Sequence, residues 1–251
     1  MLHLFKRHPI PISAYFRHSL VLTYAFPRDV LQPLLPPGLV LDTYREYGFL
    51  AIALVQTAHL RPSFLPAVFG RDFFLSGYRV FTRLDSAANS QRGLRILRSD
   101  TDKCWMVGFG NLLTHYQYRL CRVELTEQPG EIGWRIRTPH EKADLEVLAS
   151  FGDGPAPLPA GSPFADVKAA RRFAGPLPYT FDYEPETNSI IRIRAVREQW
   201  NPQPVTVDVR KNTFLRQEPF CRVTPILANA FYVRDVPYRW MRGIRTALET
   251  Q

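Results

Sequence analysis

Ser189-Ile190-Ile191-Arg192-Ile193-Arg194-Ala195 alternates residue by residue: Ile191, Ile193 and Ala195 share one face, Arg192 and Arg194 the other. Side chains on an extended chain point to opposite sides with period two, so this is the pattern of a half-buried antiparallel strand. Val205 to Arg210 repeats it, with three valines facing one way and Thr206, Asp208 and Arg210 the other. Outward from these, short runs rich in β-branched and aromatic residues recur: Ser19 to Phe26, Phe73 to Leu84, Gly93 to Arg98, Tyr116 to Thr126, Ile132 to Thr138, Leu145 to Phe151, Tyr179 to Tyr183 and Ile226 to Val233. Phe49 to Ala58 (FLAIALVQTA) is almost continuously apolar, which suits a strand buried on both faces. Turn residues separate the runs: Asp85 to Arg92, Gln128-Pro129-Gly130 and Glu184 to Asn188.

Helical signals are few. Pro27 to Leu35 has weak helical spacing, stopped by Pro36-Pro37-Gly38. Ser162-Pro163 opens the clearest candidate, with serine as N-cap, proline at the first position and an end near Phe173. Gly152 to Gly161 reads as a surface loop. The expectation is one α+β domain over residues 1–251, predominantly antiparallel β, a curled sheet or barrel with a few short helices.

With 251 residues, 45% of them apolar and 22% charged, the chain can bury a core without a metal or a disulfide framework. Its three cysteines, Cys104, Cys121 and Cys221, form no CxxC pair, which fits free thiols in a reducing compartment. The N-terminal MLHLFKRHPIPISAYF lacks the apolar stretch of a signal peptide. The longest purely apolar run, Phe49 to Val55, falls far short of the ~20 residues that cross a bilayer. A cytoplasmic protein outside the membrane is the expectation, and the prevalence of two-fold symmetry makes a homodimer the expected assembly.

The net charge is +9, and all but five of the 32 basic residues are arginine. Arginine suits bidentate recognition of carboxylate or phosphate, although these arginines are spread along the chain as GC-rich codon usage would also spread them. The doublets Arg135/Arg137 and Arg192/Arg194 each share a face; a concave setting would make either an anion site, and a convex one a solvated sheet face. No nucleic-acid module accompanies the charge, so nucleic-acid binding is the weaker reading.

Motifs of common enzyme classes are missing: there is no P-loop, no GxSxG elbow and no HExxH. Gly108-Phe109-Gly110 begins a dinucleotide fingerprint, but Leu113 holds the place of the third glycine and the next segment reads as strand. A tight turn is expected there instead, and no cofactor. Cys104, His115 and Cys121 match no zinc spacing, so no metal is expected either. His115, between apolar stretches, could carry a proton near neutral pH. Arg98-Ser99-Asp100-Thr101-Asp102-Lys103 is the densest polar cluster; its turn-forming residues favour a capping turn, with proton transfer or polar binding as the alternative.

Several longer stretches resemble one family. Phe26 to Thr57 (FPRDVLQPLLPPGLVLDTYREYGFLAIALVQT) is similar to the opening of the DUF 2071 family, with its Pro…Leu-Pro-x-Gly-Leu…Asp-Thr pattern and following apolar strand. Arg92 to Lys103, Gly110 to Arg119 and the Trp-x-Pro-x-Pro of Trp200 to Pro204 extend the resemblance over most of the chain. It implies an acetoacetate-decarboxylase-like fold around an internal cavity. It does not carry over the reaction. Decarboxylases of that superfamily use a Schiff-base lysine, a second lysine that lowers its pKa and an acidic partner. Here the corresponding stretch, Asn111 to Tyr116, holds no lysine, and Gly77 to Arg79 holds no carboxylate.

Three functions are therefore carried forward. The first is a cavity protein for a small organic acid or apolar metabolite, with Arg79, Arg98, Asp100 and His115 as ligand-binding candidates. The second is a Schiff-base enzyme using Lys103, with His115 and Asp100 as further catalytic candidates. The third is a basic module for an anionic macromolecule.

Overall fold

The computed structural model describes residues 2–84, 90–152, 154 and 156–248. Its strands are β1 (Ile12–Pro27), β2 (Leu39–Leu41), β3 (Tyr47–Pro62), β4 (Arg71–Leu84), β5 (Arg92–Thr101), β6 (Tyr118–Leu120), β7 (Arg122–Gln128), β8 (Glu131–Arg137), β9 (Leu145–Ser150), β10 (Tyr179–Glu184), β11 (Ser189–Arg197), β12 (Gln203–Pro204), β13 (Thr206–Asn212), β14 (Ile226–Trp240) and β15 (Ile244–Ala247). Three short α-helices accompany them: α1 (Arg28–Leu31), α2 (Cys104–Leu113) and α3 (Val167–Ala174). No helix among the described residues is long and apolar enough to cross a membrane.

The large sheet runs β14-β1-β3-β4-β5-β10-β11, and a further pairing of β11 with β14 closes it into a ring. That closing contact sets Ala195 opposite Trp240. Neighbours around the ring are antiparallel except β5 and β10, which are parallel. A second sheet, β13-β9-β8-β7, lies against one flank.

The apolar run of β3 shows why it carries no polar alternation. Leu50, Ile52 and Leu54 face Trp134, Ile136 and Val147 of the second sheet in one core cluster. Between them Ala53 and Val55 face the ring interior with Phe16, Leu75, Tyr116 and Tyr238. Both faces are covered, so both are apolar. Phe49 and Ala51 join Phe81, Phe164 and Ala170 in a third cluster beneath α3. Each fully buried aromatic or branched side chain here contributes about 1.5–3 kcal/mol.

Four local expectations are corrected. Ser162 does not cap a helix: its Oγ donates to the Ala228 carbonyl at 2.7 Å, and α3 starts later, where Asp166 accepts from the Ala169 N–H at 2.6 Å. Gly108 and Gly110 lie inside α2 rather than in a tight turn. A Cβ on Gly110 would stand 2.4 Å from the Tyr118 ring, so glycine lets this helix sit on that tyrosine. Tyr116 to Thr126 is not one strand but two, β6 in the ring sheet and β7 in the second sheet, parted at Cys121. Arg98 to Thr101 is strand β5, not a turn. The Gln128-Pro129-Gly130 turn and the Glu184–Asn188 connection stand where the turn residues put them. Residues 85–89 of the Asp85–Arg92 turn, and 153 and 155 of the Gly152–Gly161 loop, lie outside the described residues.

Candidate functional site

The ring encloses a cavity of about 60 Å³. A single water needs roughly 10–15 Å³ on this kind of measure, so the space admits a molecule of a few heavy atoms. Small residues make the room: Ser19, Ala53 and Ser99 line it, and Gly77 sits on the same β4 face as Arg79. A Cβ at Gly77 would lie 2.8 Å from Arg79 Nε and 2.9 Å from its Nη2. The missing side chain is thus the berth of the Arg79 guanidinium, two residues along the same strand face.

Arg79 lines this cavity. Its Nε is buried and has no hydrogen-bond partner among the described residues, and no ion pair reaches it. Burial pushes its pKa down, and the charge of Arg197 adds to that; arginine starts so high that the group stays protonated at neutral pH. Arg197 also lines the cavity, donating to the Leu177 carbonyl and the Tyr238 hydroxyl at 3.0 Å each. Its guanidinium lies over the rings of Trp200 and Tyr238 at 5.4 and 5.0 Å. The Tyr116 hydroxyl and the Trp200 indole N–H are two more buried groups without a partner. Burial drives the Tyr116 pKa up, so its hydroxyl remains a proton-bearing donor. Among the described residues no carboxylate lines the cavity. Two cations and two unused donors around one space could hold a small anion by charge pairing and hydrogen bonds.

Asp182 on β10 is an acid whose charge reaches Tyr116 and Tyr118 of the lining. Burial raises its pKa to about 6, against the opposing charge of Arg95, and one of its oxygens has no partner. Its other oxygen accepts from Arg95 at 2.9 Å.

A second chamber of about 110 Å³ adjoins the cavity and shares Leu75, Tyr116, Tyr118 and Trp240 with it. Beyond that shared wall its lining is almost wholly apolar, supplied by Phe73, Trp105, Met106, Phe109 and Leu113. Helix α2 therefore roofs an apolar antechamber to a cationic interior.

The candidates from the sequence fall in different places. Arg79 is in the cavity. Arg98 and Asp100 pair with each other at 2.7 Å, both buried, on the opposite face of β5. The cause is a bulge: β5 pairs Ile96 with Arg79 and Arg98 with Tyr78, leaving Leu97 as an extra residue. One extra residue flips every later side chain. Ser99 turns inward, while Arg98 and Asp100 turn toward Tyr78 and Cys121. Burial raises the Asp100 pKa although Arg98 is bound to it. His115 is half-buried just outside the cavity lining, its Nε2 unpartnered and its pKa lowered by burial. Lys103 is on the surface, paired with Asp102 at 2.9 Å. No lysine lines the cavity or the antechamber. Arg197, Trp200 and Tyr238 were not singled out by sequence; the Trp-x-Pro-x-Pro stretch was the one available pointer to Trp200.

A family model, DUF2071, described as an uncharacterized conserved protein, matches residues 13–237. The chain belongs to the DUF2071 family. No curated protein matches it. The fold of this DUF2071 member is acetoacetate-decarboxylase-like. It is similar to the acetoacetate decarboxylase of Legionella pneumophila at 12% identity and TM-score 0.65, covering 95% of this chain and 88% of that one. It is also similar to an acetoacetate decarboxylase-like enzyme from Sphingomonas wittichii at 14% identity and TM-score 0.61, covering 94% and 92%. A third neighbour is the enduracididine biosynthesis enzyme MppR complexed with pyruvate, at 12% identity and TM-score 0.62, covering 94% and 90%. At these identities the likeness is one of fold. The stretches that the resemblance set against the lysine and acidic positions, Asn111 to Tyr116 and Gly77 to Arg79, do meet in this chain's cavity, but they present Tyr116 and Arg79 there.

Proposed function

We propose that this DUF2071 protein binds a small monocarboxylic acid, in the size range of a 2-oxo acid, inside the ring. The carboxylate sits between Arg79 and Arg197, and the organic body points past Tyr116 and Tyr118 into the apolar antechamber. One observation carries this reading: Arg79 is a half-buried cation with a fully buried, unpartnered Nε, berthed against Gly77, with no counter-ion among the described residues. An uncompensated charge with a buried, unpartnered donor is costly to the fold, and a carboxylate ligand lowers that cost. The pyruvate complex of MppR supports the size class.

The chemistry of the lining is hydrogen bonding, charge pairing and proton donation from Tyr116. An amine nucleophile is missing from it, which counts against the Schiff-base reading: Lys103 stands outside, held by Asp102. Borohydride treatment with pyruvate is expected to leave the protein mass unchanged.

Isothermal titration with pyruvate, 2-oxobutyrate, butyrate and hexanoate tests the proposal, with the matching amides as controls. The acids are expected to bind one per chain and the amides not at all. Arg79→Met is expected to weaken acid binding by at least about tenfold, the value of one charge-assisted hydrogen bond. Equal binding of acids and amides, or of acids to both proteins, would overturn it.

A further inference from the structure

The two arginine doublets meet opposite fates. Arg135 and Arg137 lie on the exposed face of the second sheet and are answered by Glu124, Glu146 and Asp144 within 3.3–3.8 Å. Arg192 and Arg194 instead line an open cleft of about 910 Å³, together with Arg7, Arg242 and Arg245. Among the described residues no carboxylate lines this cleft. Arg7 is held by Glu184 at 2.6 Å. Among the described residues the other four make no ion pair. Arg192 donates to Gln91 at 2.5 Å and lies 5.3 Å from the Tyr179 ring centre. Arg245 donates to Ser189 Oγ at 3.1 Å.

These arginines come from separate parts of the chain. The N-terminal 3₁₀ turn brings Arg7, β11 brings Arg192 and Arg194, and the segment after β14 brings Arg242 and Arg245. The fold docks these segments tightly: Gly243 donates to the His8 carbonyl at 3.0 Å, and a Cβ on Gly243 would stand 2.2 Å from the Arg7 carbonyl. The convergence is therefore fixed by backbone packing rather than by flexible tails. Apolar side chains stand among the guanidiniums, with Leu4 46% and Ile244 55% exposed.

We infer that this cleft is a second ligand site, for a soluble organic compound bearing two or more phosphate groups. Four unpaired guanidiniums around one hollow focus a positive potential that a single carboxylate does not match. Planar, always-charged forks suit phosphate oxygens, which they grip in pairs. The hollow lies within the ~300–1,000 Å³ of small-molecule sites, and its arginines ring a concavity instead of forming the extended stripe that a nucleic acid follows. Leu4 and Ile244 give the organic body an apolar contact. The cleft shares no lining residue with the Arg79 cavity and only Pro9 with the apolar antechamber.

Titration calorimetry on the full-length protein at low ionic strength tests this, with inorganic tripolyphosphate, ATP, coenzyme A and inorganic phosphate as probes. The oligophosphates are expected to bind one per chain and phosphate far more weakly. ATP or coenzyme A binding tighter than tripolyphosphate points to an organic phosphate ester; the reverse order would remove the organic body from the proposal. The pair Arg194→Ala with Arg242→Ala, both exposed, is expected to weaken binding by about tenfold per arginine. Arg135→Ala with Arg137→Ala is expected to leave it unchanged. Absence of binding at 20 mM salt, or equal loss with both pairs, overturns the inference. So does a dimer in light scattering that dissociates in the Arg194/Arg242 variant, since a second copy would then be the occupant.

Discussion

Replacing Arg79 by methionine is expected to raise the stability of the unliganded protein while reducing its ligand response. Arg79 is half-buried, has a fully buried, unpartnered Nε and makes no ion pair among the described residues. Buried charges exchanged for apolar groups of similar shape commonly return about 1–4 kcal/mol. Methionine keeps most of the stem between Ala51 and Ile96 but loses the contacts of the guanidinium head, a packing loss of about 1 kcal/mol. The net expectation is a gain of up to about 3 kcal/mol, and about 2–4 °C in Tm for each kcal/mol in a chain of this size. A carboxylate ligand at one hundred times its wild-type Kd stabilises the wild type by about 2.7 kcal/mol and a variant that binds tenfold more weakly by about 1.4 kcal/mol at most. Thermal unfolding by differential scanning calorimetry, with and without 2-oxobutyrate, reads both effects together. A variant destabilised by more than about 2 kcal/mol would refute the reasoning, because Arg79 would then be a satisfied structural cation. An undiminished ligand shift in the variant would refute it equally.

Three further outcomes follow from the same geometry. Gly77→Ala puts a Cβ 2.8 Å from Arg79 Nε, so it is expected to push the guanidinium out of its berth and cut acid affinity about tenfold while the circular dichroism spectrum is kept; unchanged affinity would show that the berth is unnecessary. Extending the ligand from C4 to C6 feeds methylenes into the antechamber, each contributing about 0.8 kcal/mol, so affinity is expected to rise about fourfold per carbon until the chamber is full; a flat series contradicts its role. His8 is buried and its pKa is lowered by burial from 6.5 to about 4. The folded protein thus takes up this proton later than the unfolded chain. The resulting stability is complete above pH 6.5 and is lost as pH falls toward 4, about 3 kcal/mol in all. His8 sits at φ 54°, a conformation asparagine tolerates. Urea unfolding of His8→Asn between pH 7 and 4 is expected to lack that part of the wild-type decline; identical pH profiles would refute the assignment.

The β architecture was legible because its cause is local. Alternation at Ile191, Ile193 and Ala195 and the two-faced run at β3 record directly which faces are covered. Helix α2 was illegible because its signals are weak: Lys103 offers no side-chain cap, and two glycines interrupt the helical half of the segment. Ser162 misled because serine hydrogen-bonds equally well to a distant carbonyl, and Asp166 four residues later is the true cap. The cavity was only half visible. Arg79 lay in a stretch flagged by resemblance, but its solitude depends on which strands close the ring. Arg98 and Asp100 lay beside it in register and were turned away by a single bulge at Leu97, which has no sequence signature. Arg197 and Tyr238 reach the cavity through the β11–β14 pairing, a contact between segments about forty residues apart. The Arg192/Arg194 face could not be told as concave until the N-terminal turn and the chain after β14 were seen to wall it.

The most direct test of the central claim is a crystal structure with 3-bromopropionate, whose bromine is located by anomalous scattering. The account predicts a carboxylate in hydrogen-bond contact with Arg79 and Arg197, and bromine on the antechamber side among Leu75, Tyr118 and Trp240. Bromine found only in the outer arginine cleft, or an Arg79 guanidinium contacted by neither carboxylate nor any other anion, would contradict it.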